Sequence, residues 1–278
     1  MGSVAITNTF TSGTTAEAPQ VNTNFSDLVN YINARNSGSS KWDALGVSGN
    51  AVIDGTLSVS GTDFTTALST AISADGWTAA GETWTYASAT TFTISGDKTT
   101  KYTIGDKIKL VQTTQKYFYI IGTSYSSPNT TITVSAGSDY SLVNAAITVP
   151  YYSKMATPNG FPSFFNFTTT FGGFSLDPSL IVSTFSINGK ICFFNIICGS
   201  TGTSNSILLT FTLPLAVATN FNSFQPSGGA VDNGSLVSTA IFKLSSGSAT
   251  VSAYKSYDSG IWTNSGSKVV QGSLAYPI

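Results

Sequence analysis

The chain of 278 residues contains no histidine and only two glutamates. Histidine is the commonest general base near neutral pH and the commonest metal ligand, so its absence excludes Ser-His-Asp and His-zinc sites. A catalytic carboxylate pair would have to come from aspartates, such as Asp97 with Asp106 or Asp232 with Asp258. No local spacing holds such a pair about 5 to 9 Å apart, and these aspartates fit turns equally well. We therefore predict no enzymatic activity, no metal site and no cofactor.

Charge is scarce as well. Charged residues make up 9% of the chain, the formal net charge is -1, and Arg35 is the single arginine. An ordinary soluble domain carries about 25% charged residues. Without a basic stripe the chain is not expected to bind nucleic acid. A surface of Ser, Thr, Asn and Gly favours strands and turns over long solvated helices.

Long apolar runs and disulfide pairs are also missing. No stretch reaches the roughly 18 uninterrupted apolar residues of a membrane span, so we expect no membrane insertion. The start of the chain, MGSVAITNTF, has no secretory signal pattern. Cys192 and Cys198 would share one face of a strand about 20 Å apart, beyond disulfide reach. We predict that both are small buried apolar residues rather than ligands or nucleophiles.

Residues 45–61, LGVSGNAVIDGTLSVSG, place an apolar or glycine residue at every odd position. The run also reads as three six-residue units, each with glycine at its fifth place. A period of two puts these side chains on one face of an extended chain, which a single strand cannot bury. Because repeats need about three or more stacked units, we predict an intertwined β shaft made with other copies of the chain. A hairpin turning at Asp54-Gly55 is the alternative.

The segment before this run carries the strongest helix signal. Thr14 followed by Glu17 fits a capping box, and Pro19 is tolerated in a first turn. Apolar residues then recur at the spacing of a helix seam, and five asparagines lie between residues 22 and 36. Because asparagine is a weak helix former, we expect contact with copies of itself or a docking partner to order the helix. A lone amphipathic helix packed on its own domain is the alternative.

Copies of the chain are predicted to pair through both segments and through a short helix or stalk near residues 64–72. The predicted contact residues are Val21, Phe25, Leu28, Ile32, Leu45, Val47, Ile53, Leu57, Val59, Phe64, Leu68 and Ile72.

Two β-rich regions follow. Between residues 75 and 160, short alternating strands are separated by turn signals at Gly96-Asp97, Gly105-Asp106 and Ser127-Pro128-Asn129, which predicts a small β-barrel or sandwich. Residues 161–278 predict about eight strands at intervals of about ten residues, which is typical of a double-sheet jelly roll. Apolar residues occupy both faces of the strand CFFNIIC, so we predict burial from two sides, with a subunit interface as one candidate for the second.

A cluster of aromatic residues lies in SAYKSYDSGIWTNSG near the end of the chain. Rings stack on the C–H faces of sugars, and carboxylates accept hydrogen bonds from hydroxyls. The candidate receptor contacts are therefore Tyr254, Tyr257, Asp258 and Trp262. The alternative is that these rings pack in a core or an interface, as tyrosine and tryptophan at alternating strand positions usually do.

Four stretches carry a resemblance: FTSGTTAEAPQVNTNFSDLVNYIN, VSGNAVIDGTLSVSGT, WTYASATTFTISGD with SYSSPNTTITV, and GKICFFNIICGSTGTSNSILLTFTLP. In this order they resemble bacteriophage fibre or spike proteins over nearly the whole chain. The resemblance implies a virion-proximal N-terminus, a homotrimeric shaft and a distal β domain like the tumour-necrosis-factor jelly roll, which contacts the host. The long parallel β-helix of depolymerase tailspikes is missing from the pattern.

We therefore expect a mainly β homotrimeric fibre: an attachment segment over 1–36, a shaft over 37–74, a small β domain over 75–160 and a jelly roll over 161–278. Its partners would be copies of itself, another virion structural protein at the N-terminus, and a host cell-surface glycan or protein. The protein would be made in the host cytoplasm and leave in the virion by lysis. The alternatives are a head fibre or capsid decoration protein with a purely structural role, and a surface-glycan hydrolase.

Overall fold

The computed structural model describes residues 7–13, 15–36, 58–59, 62–63, 75–237 and 240–278, with the backbone alone at 34–36, 58–59 and 62–63. The chain divides into two compact units, Met1–Asp63 and Phe64–Ile278. A helix is the main element described in the first unit, and antiparallel strands build the second.

The N-terminal helix, α1, spans Ala18–Asn36. The N–H group of Gln20 donates to the carbonyl oxygen of Glu17 at 3.0 Å, and the side-chain oxygen of Gln20 accepts the N–H of Glu17 at 3.4 Å. Glu17 is therefore the N-cap, three residues later than the capping-box pattern at Thr14 predicts. Proline explains the shift: Pro19 has no N–H to donate, which is tolerated only within the first turn.

Two polar side chains of α1, Asn24 and Asp27, bind the segment that precedes the helix. Thr7 donates from its N–H and its hydroxyl to the carboxylate of Asp27, at 2.9 and 2.7 Å. The N–H of Asn8 donates to Oδ1 of Asn24, and Nδ2 of Asn24 donates to the carbonyl oxygen of Asn8, both at 2.9 Å. These bonds offset the weak helix propensity of asparagine. Contacts within the chain thus stabilise the helix at Asn24 and Asp27.

Two short strands are described in the predicted shaft. β1 (Ser58–Val59) pairs antiparallel with β2 (Thr62–Asp63). Antiparallel pairing of strands this close in sequence is the arrangement of a hairpin rather than of stacked parallel coils. The predicted turn at Asp54-Gly55 lies outside the described residues. So do most of the predicted contacts, namely Leu45, Val47, Ile53, Leu57, Phe64, Leu68, Ile72 and the side chain of Val59.

Residues 78–153 form a seven-stranded antiparallel sheet. Its strands are β3 (Thr78–Ala79), β4 (Thr85–Ser88), β5 (Thr91–Ser95), β6 (Lys107–Gln112), β7 (Thr114–Ser126), β8 (Asn129–Ser135) and β9 (Thr148–Ser153). They lie in the order β3-β9-β6-β7-β8-β5-β4. The turns predicted at 96–97, 105–106 and 127–128 are confirmed, because each falls between two of these strands.

The C-terminal region carries thirteen strands within its described residues. They are β10 (Phe165–Asn166), β11 (Phe171–Gly172), β12 (Phe174–Leu176), β13 (Leu180–Asn188), β14 (Ile191–Cys198), β15 (Gly202–Ser204), β16 (Leu209–Thr212), β17 (Ser223–Pro226), β18 (Gly229–Asp232), β19 (Ser235–Leu236), β20 (Ile241–Leu244), β21 (Thr250–Tyr254) and β22 (Ser267–Pro277). The sequence predicts about eight, because strands of two to four residues are too short to show a period.

These strands form two antiparallel sheets. Eight belong to the sheet β10-β13-β14-β22-β15-β12, in which β18 also pairs with β22 and β19 pairs with β18. Five form the sheet β11-β16-β21-β20-β17. Phe194 on β14 lies 6.3 Å from Phe211 on β16 between ring centroids, and Phe211 lies 5.1 Å from Phe242 on β20. Because these rings are buried, the two sheets pack as a β sandwich, and the predicted mainly β class is confirmed.

Strand β14 has two apolar faces, of which one is buried and the other is exposed. Cys192, Phe194 and Ile196 are at most 1% exposed and belong to the core of the sandwich. Phe193 and Ile197 point to the other side of the sheet and are 46% and 36% exposed. Among the described residues, the predicted burial of both faces of β14 is therefore found on the inner face only.

The seven-stranded sheet and the sandwich share one continuous core. Tyr119 on β7 lies 5.5 Å from Phe165 on β10 and 6.3 Å from Phe185 on β13 between ring centroids. Gly105 has a φ of +94°, and an added Cβ would overlap the carbonyl oxygen of Gly189. All strands of the seven-stranded sheet lie before residue 160, and all strands of the sandwich lie after it. The aromatic core contains residues from both parts of the chain.

The two cysteines lie on β14, with Cys192 buried and Cys198 half-buried. Burial raises the pKa of the Cys192 thiol to about 12 and that of Cys198 to about 11. Because the thiolate is the nucleophile, we expect both thiols of the folded protein to react slowly with Ellman's reagent near neutral pH. Unfolding in guanidinium should make both react rapidly. Rapid reaction of the folded protein would contradict the burial of Cys192.

Candidate functional site

Three of the four predicted receptor contacts fall on a loop that joins β21 to β22, which we call the Tyr257 loop (residues 255–263), and Tyr254 is the last residue of β21. It closes on itself, because the N–H of Lys255 donates to the carbonyl oxygen of Gly260 at 2.8 Å. The hydroxyl of Ser256 accepts the N–H of Gly260 at 3.2 Å and donates to the carboxylate of Asp258. These bonds raise Tyr257 on a compact turn, where its side chain is 73% exposed.

Asp232, the last residue of β18, anchors both ends of the Tyr257 loop. Its carboxylate lies 2.7 Å from the ammonium group of Lys255 and accepts hydrogen bonds from the N–H and the hydroxyl of Thr263. Burial works to raise the pKa of Asp232, but the hydrogen bonds from Lys255 and Thr263 hold it below its ordinary value. Asp232 is therefore ionised at neutral pH, and its charge stabilises the loop.

A fully buried ammonium group lies behind this anchor. Lys268 on β22 has no exposed surface, and its Nζ lies 3.7 Å from Oδ1 of Asp232. It donates to the carbonyl oxygen of Ser265 at 3.0 Å and also to that of Thr263. Burial lowers the pKa of Lys268, and the nearby Asp232 carboxylate opposes that shift. A lysine buried among two carbonyls and a carboxylate has a structural role, since it holds residues 263–265 against the sheet.

The four predicted contact residues do not all reach the surface together. Tyr257 and Asp258 are exposed, and Tyr254 is half-buried at the end of β21. Trp262 is only 2% exposed, and its indole N–H donates to the carbonyl oxygen of Ala253 at 2.8 Å. Trp262 therefore packs in the core and is removed from the candidate contacts. The period-two pattern could not separate an inward ring from an outward one within a loop.

Phe224 on β17 completes the surface beside Tyr257, and the sequence alone did not indicate it. The two ring centroids lie 5.3 Å apart with an angle of 48° between the ring planes. Phe224 is 40% exposed, and the ammonium group of Lys243 lies 5.8 Å from its centroid. One ring lies on a strand and the other on the Tyr257 loop, over thirty residues apart in the chain, so no local motif links them. Together they offer an exposed aromatic surface beside the carboxylate of Asp258.

The other candidate carboxylates are engaged in local structure. Asp97 accepts hydrogen bonds from the N–H and the hydroxyl of Thr99, at 3.0 and 2.7 Å, which lower its pKa. Asp106 accepts the N–H of Thr103 and the ammonium group of Lys154, both at 2.8 Å. Among the described residues there is no group of three His, Cys, Asp or Glu side chains that could hold a metal ion. The part of the chain described here also has no helix long and apolar enough to cross a membrane.

The anchor can be tested by removing one charge. Asp232→Asn leaves the ammonium group of Lys268 buried without a carboxylate, so we expect a loss of about 3 kcal/mol in the free energy of unfolding. Asp258→Asn is the matched control, because this exposed carboxylate should change stability by no more than about 0.5 kcal/mol. Denaturant unfolding near neutral pH measures both.

The difference between these two variants should shrink in acid. A carboxyl group with a lowered pKa stabilises the fold above its ordinary pKa, and this contribution is lost as the pH falls below that value. Equal stability of the two variants at neutral pH would show that Asp232 is not the anchor.

Comparison of the chain with protein-family models, with curated proteins and with solved structures finds no match.

Proposed function

We propose that this chain is a non-enzymatic subunit of a homotrimeric bacteriophage fibre. In this proposal residues 1–36 attach to another virion protein, residues 37–74 form the shared shaft, and the C-terminal sandwich is a jelly roll that adheres to the host surface. The observation that carries the proposal is an apolar stripe on α1 that the described part of the chain leaves uncovered.

The stripe consists of the residues predicted to form a helix seam. Phe25 is 63% exposed, Ile32 46% and Leu28 40%, whereas Val21 is half-buried. A groove of about 310 Å³ lies between this stripe and Phe10. Hydrogen bonds to Thr7 and Asn8 engage only Asp27 and Asn24. They leave the apolar stripe exposed, together with polar side chains such as Asn22 on the other side of the helix. The apolar residues of this stripe are spaced four, three and four positions apart. This spacing favours association with other copies of the same helix.

The Tyr257 loop supports the adhesive role. Tyr257 and Phe224 expose ring faces, which stack on the C–H faces of sugars, and Asp258 adds a carboxylate that accepts hydrogen bonds from hydroxyls. Asp232 fixes both ends of the loop, so the loop loses little conformational freedom when a ligand binds. A host glycan is therefore the favoured receptor. The hydrogen bonds of Asp97, Asp106 and Asp232 favour structural roles for these carboxylates over hydrolysis.

Trimerisation through α1 predicts that the purified protein has three times the mass of one chain in solution. We expect the chain of 28.9 kDa to sediment as a trimer. Phe25→Ser should make the trimer dissociate at higher protein concentration, because each subunit loses about 2 kcal/mol of apolar burial. Asn22→Ser, on the polar side of the same helix, is the control. A wild-type chain that sediments as a compact monomer would refute the trimer.

If the Tyr257 loop mediates adhesion, substitution of Tyr257 should weaken binding to host cells more than substitution of another exposed tyrosine. Tyr257→Ala should reduce the affinity of the protein for host cells by about tenfold, because a stacked ring contributes on the order of 1 kcal/mol or more. Tyr125→Ala is the matched control, since Tyr125 is an exposed tyrosine, 44% accessible, at the end of β7. Binding of labelled protein to host cells measures both. Equal binding of Tyr257→Ala and wild type would favour the purely structural role of a head fibre or decoration protein.

A further inference from the structure

The eight-stranded sheet has an apolar surface that the described part of the chain does not cover. We define the outer face as the outward side chains of β10, β13, β14 and β22, with Phe164 and Ile181 at its margins. Ile181 is 70% exposed, Phe164 58%, Phe193 46%, Ile191 38% and Ile197 36%. These side chains together expose on the order of 500 Å² of apolar surface, which is near the upper end for a monomeric protein.

The outer face has ridges and a shallow floor. An open groove of about 860 Å³ lies on it. In the sheet register, Phe193 lies between Ser186 on β13 and Ala275 on β22. Because both neighbours are small, the phenylalanine ring projects above them. A surface that has both a projecting ring and a low floor can place the ring of one subunit on the floor of the next, which is the heterologous contact that a threefold axis requires.

The chemistry of the outer face narrows the choice of partner. Among the described residues, those that line the groove include no Asp, Glu, Lys or Arg. The hydroxyl of Ser273 already donates to Oδ1 of Asn195 at 3.1 Å. The side-chain amide of Gln225 donates to the carbonyl oxygen of Ala275 at 2.7 Å and accepts its N–H at 3.2 Å. The groove also contains Ser163, Thr184 and Ser186, so the face is uncharged rather than free of polar groups. It suits an equally uncharged surface.

We infer that the outer face is a contact between copies of this chain. The inference rests on the proposed trimer and adds a subunit contact within the C-terminal sandwich. A patch on the order of 500 Å² is smaller than the roughly 800 Å² per partner that stable free-standing complexes bury. Subunits already joined through α1 are held at about millimolar effective concentration, where a smaller contact suffices. The N-terminal association therefore favours contact between the outer face of each subunit and that of the next subunit in the trimer.

Cross-linking of the full-length chain tests this contact. Ser273→Cys places an exposed thiol on the outer face, and Leu236→Cys places one on β19, where the side chain is 89% exposed. Cys192 and Cys198 are the native thiols, so the wild-type chain gives the background. A short bismaleimide should link Ser273→Cys subunits to one another and leave Leu236→Cys subunits at background. Denaturing gel electrophoresis and mass spectrometry measure the products.

A second substitution makes the result specific to the outer face. Phe193→Asp in the Ser273→Cys chain introduces a charge that an apolar contact cannot bury, so cross-linking should fall to background. Circular dichroism checks that the double variant remains folded. Cross-linking that persists in the folded double variant would overturn the inference.

The outcomes separate the inference from the proposed function. A wild-type trimer whose Ser273→Cys variant links no better than Leu236→Cys refutes the contact and leaves the fibre proposal intact. A wild-type monomer refutes both. A wild-type dimer that cross-links through Ser273→Cys supports the contact and refutes the trimer.

Discussion

Burial of the inner face of β14 is the interaction on which the C-terminal region depends. Phe194 packs against the opposite sheet, and Cys192 and Ile196 lie beside it with no exposed surface. β14 also pairs with β13 and β22, the two longest strands of the C-terminal region. Because a strand alternates its side chains, fixing the inner face also fixes which residues point outward. The apolar outer face is therefore a direct consequence of how the core is packed.

Scarcity of charge is the second constraint, and the structure uses its few charges for internal positioning. Asp232 holds both ends of the Tyr257 loop, and Lys268 is buried behind it. On β6, the ammonium group of Lys109 lies 4.7 Å from the ring centroids of both Trp77 and Tyr151. Such contacts stabilise a lysine through its charge and its aliphatic stem together. Charged groups used in this way do not cover the exposed apolar side chains of α1 and β14.

Local patterns in the sequence predicted several elements well. The helix of residues 18–36 and the turns between β5 and β6 and between β7 and β8 follow from seam spacing and from glycine and proline chemistry. The helix start was misplaced because a start at Thr14 would put Pro19 beyond the first turn, where its missing N–H is not tolerated. The strand count was too low because two-residue strands are defined by their partners rather than by their own sequence. Tyr257 was identified as exposed, whereas Trp262 was expected at the surface and lies in the core.

Composition and short-range periodicity were enough to predict a mainly β chain with little charge and a buried Cys192, whereas Cys198 is only half-buried. Only the tertiary structure decided that Phe224 lies beside Tyr257 and that Asp232 joins the two ends of one loop. Only the tertiary structure, too, decided which apolar face of β14 is covered within the described chain. These contacts depend on strand order and register, which residues distant in the chain set together through packing.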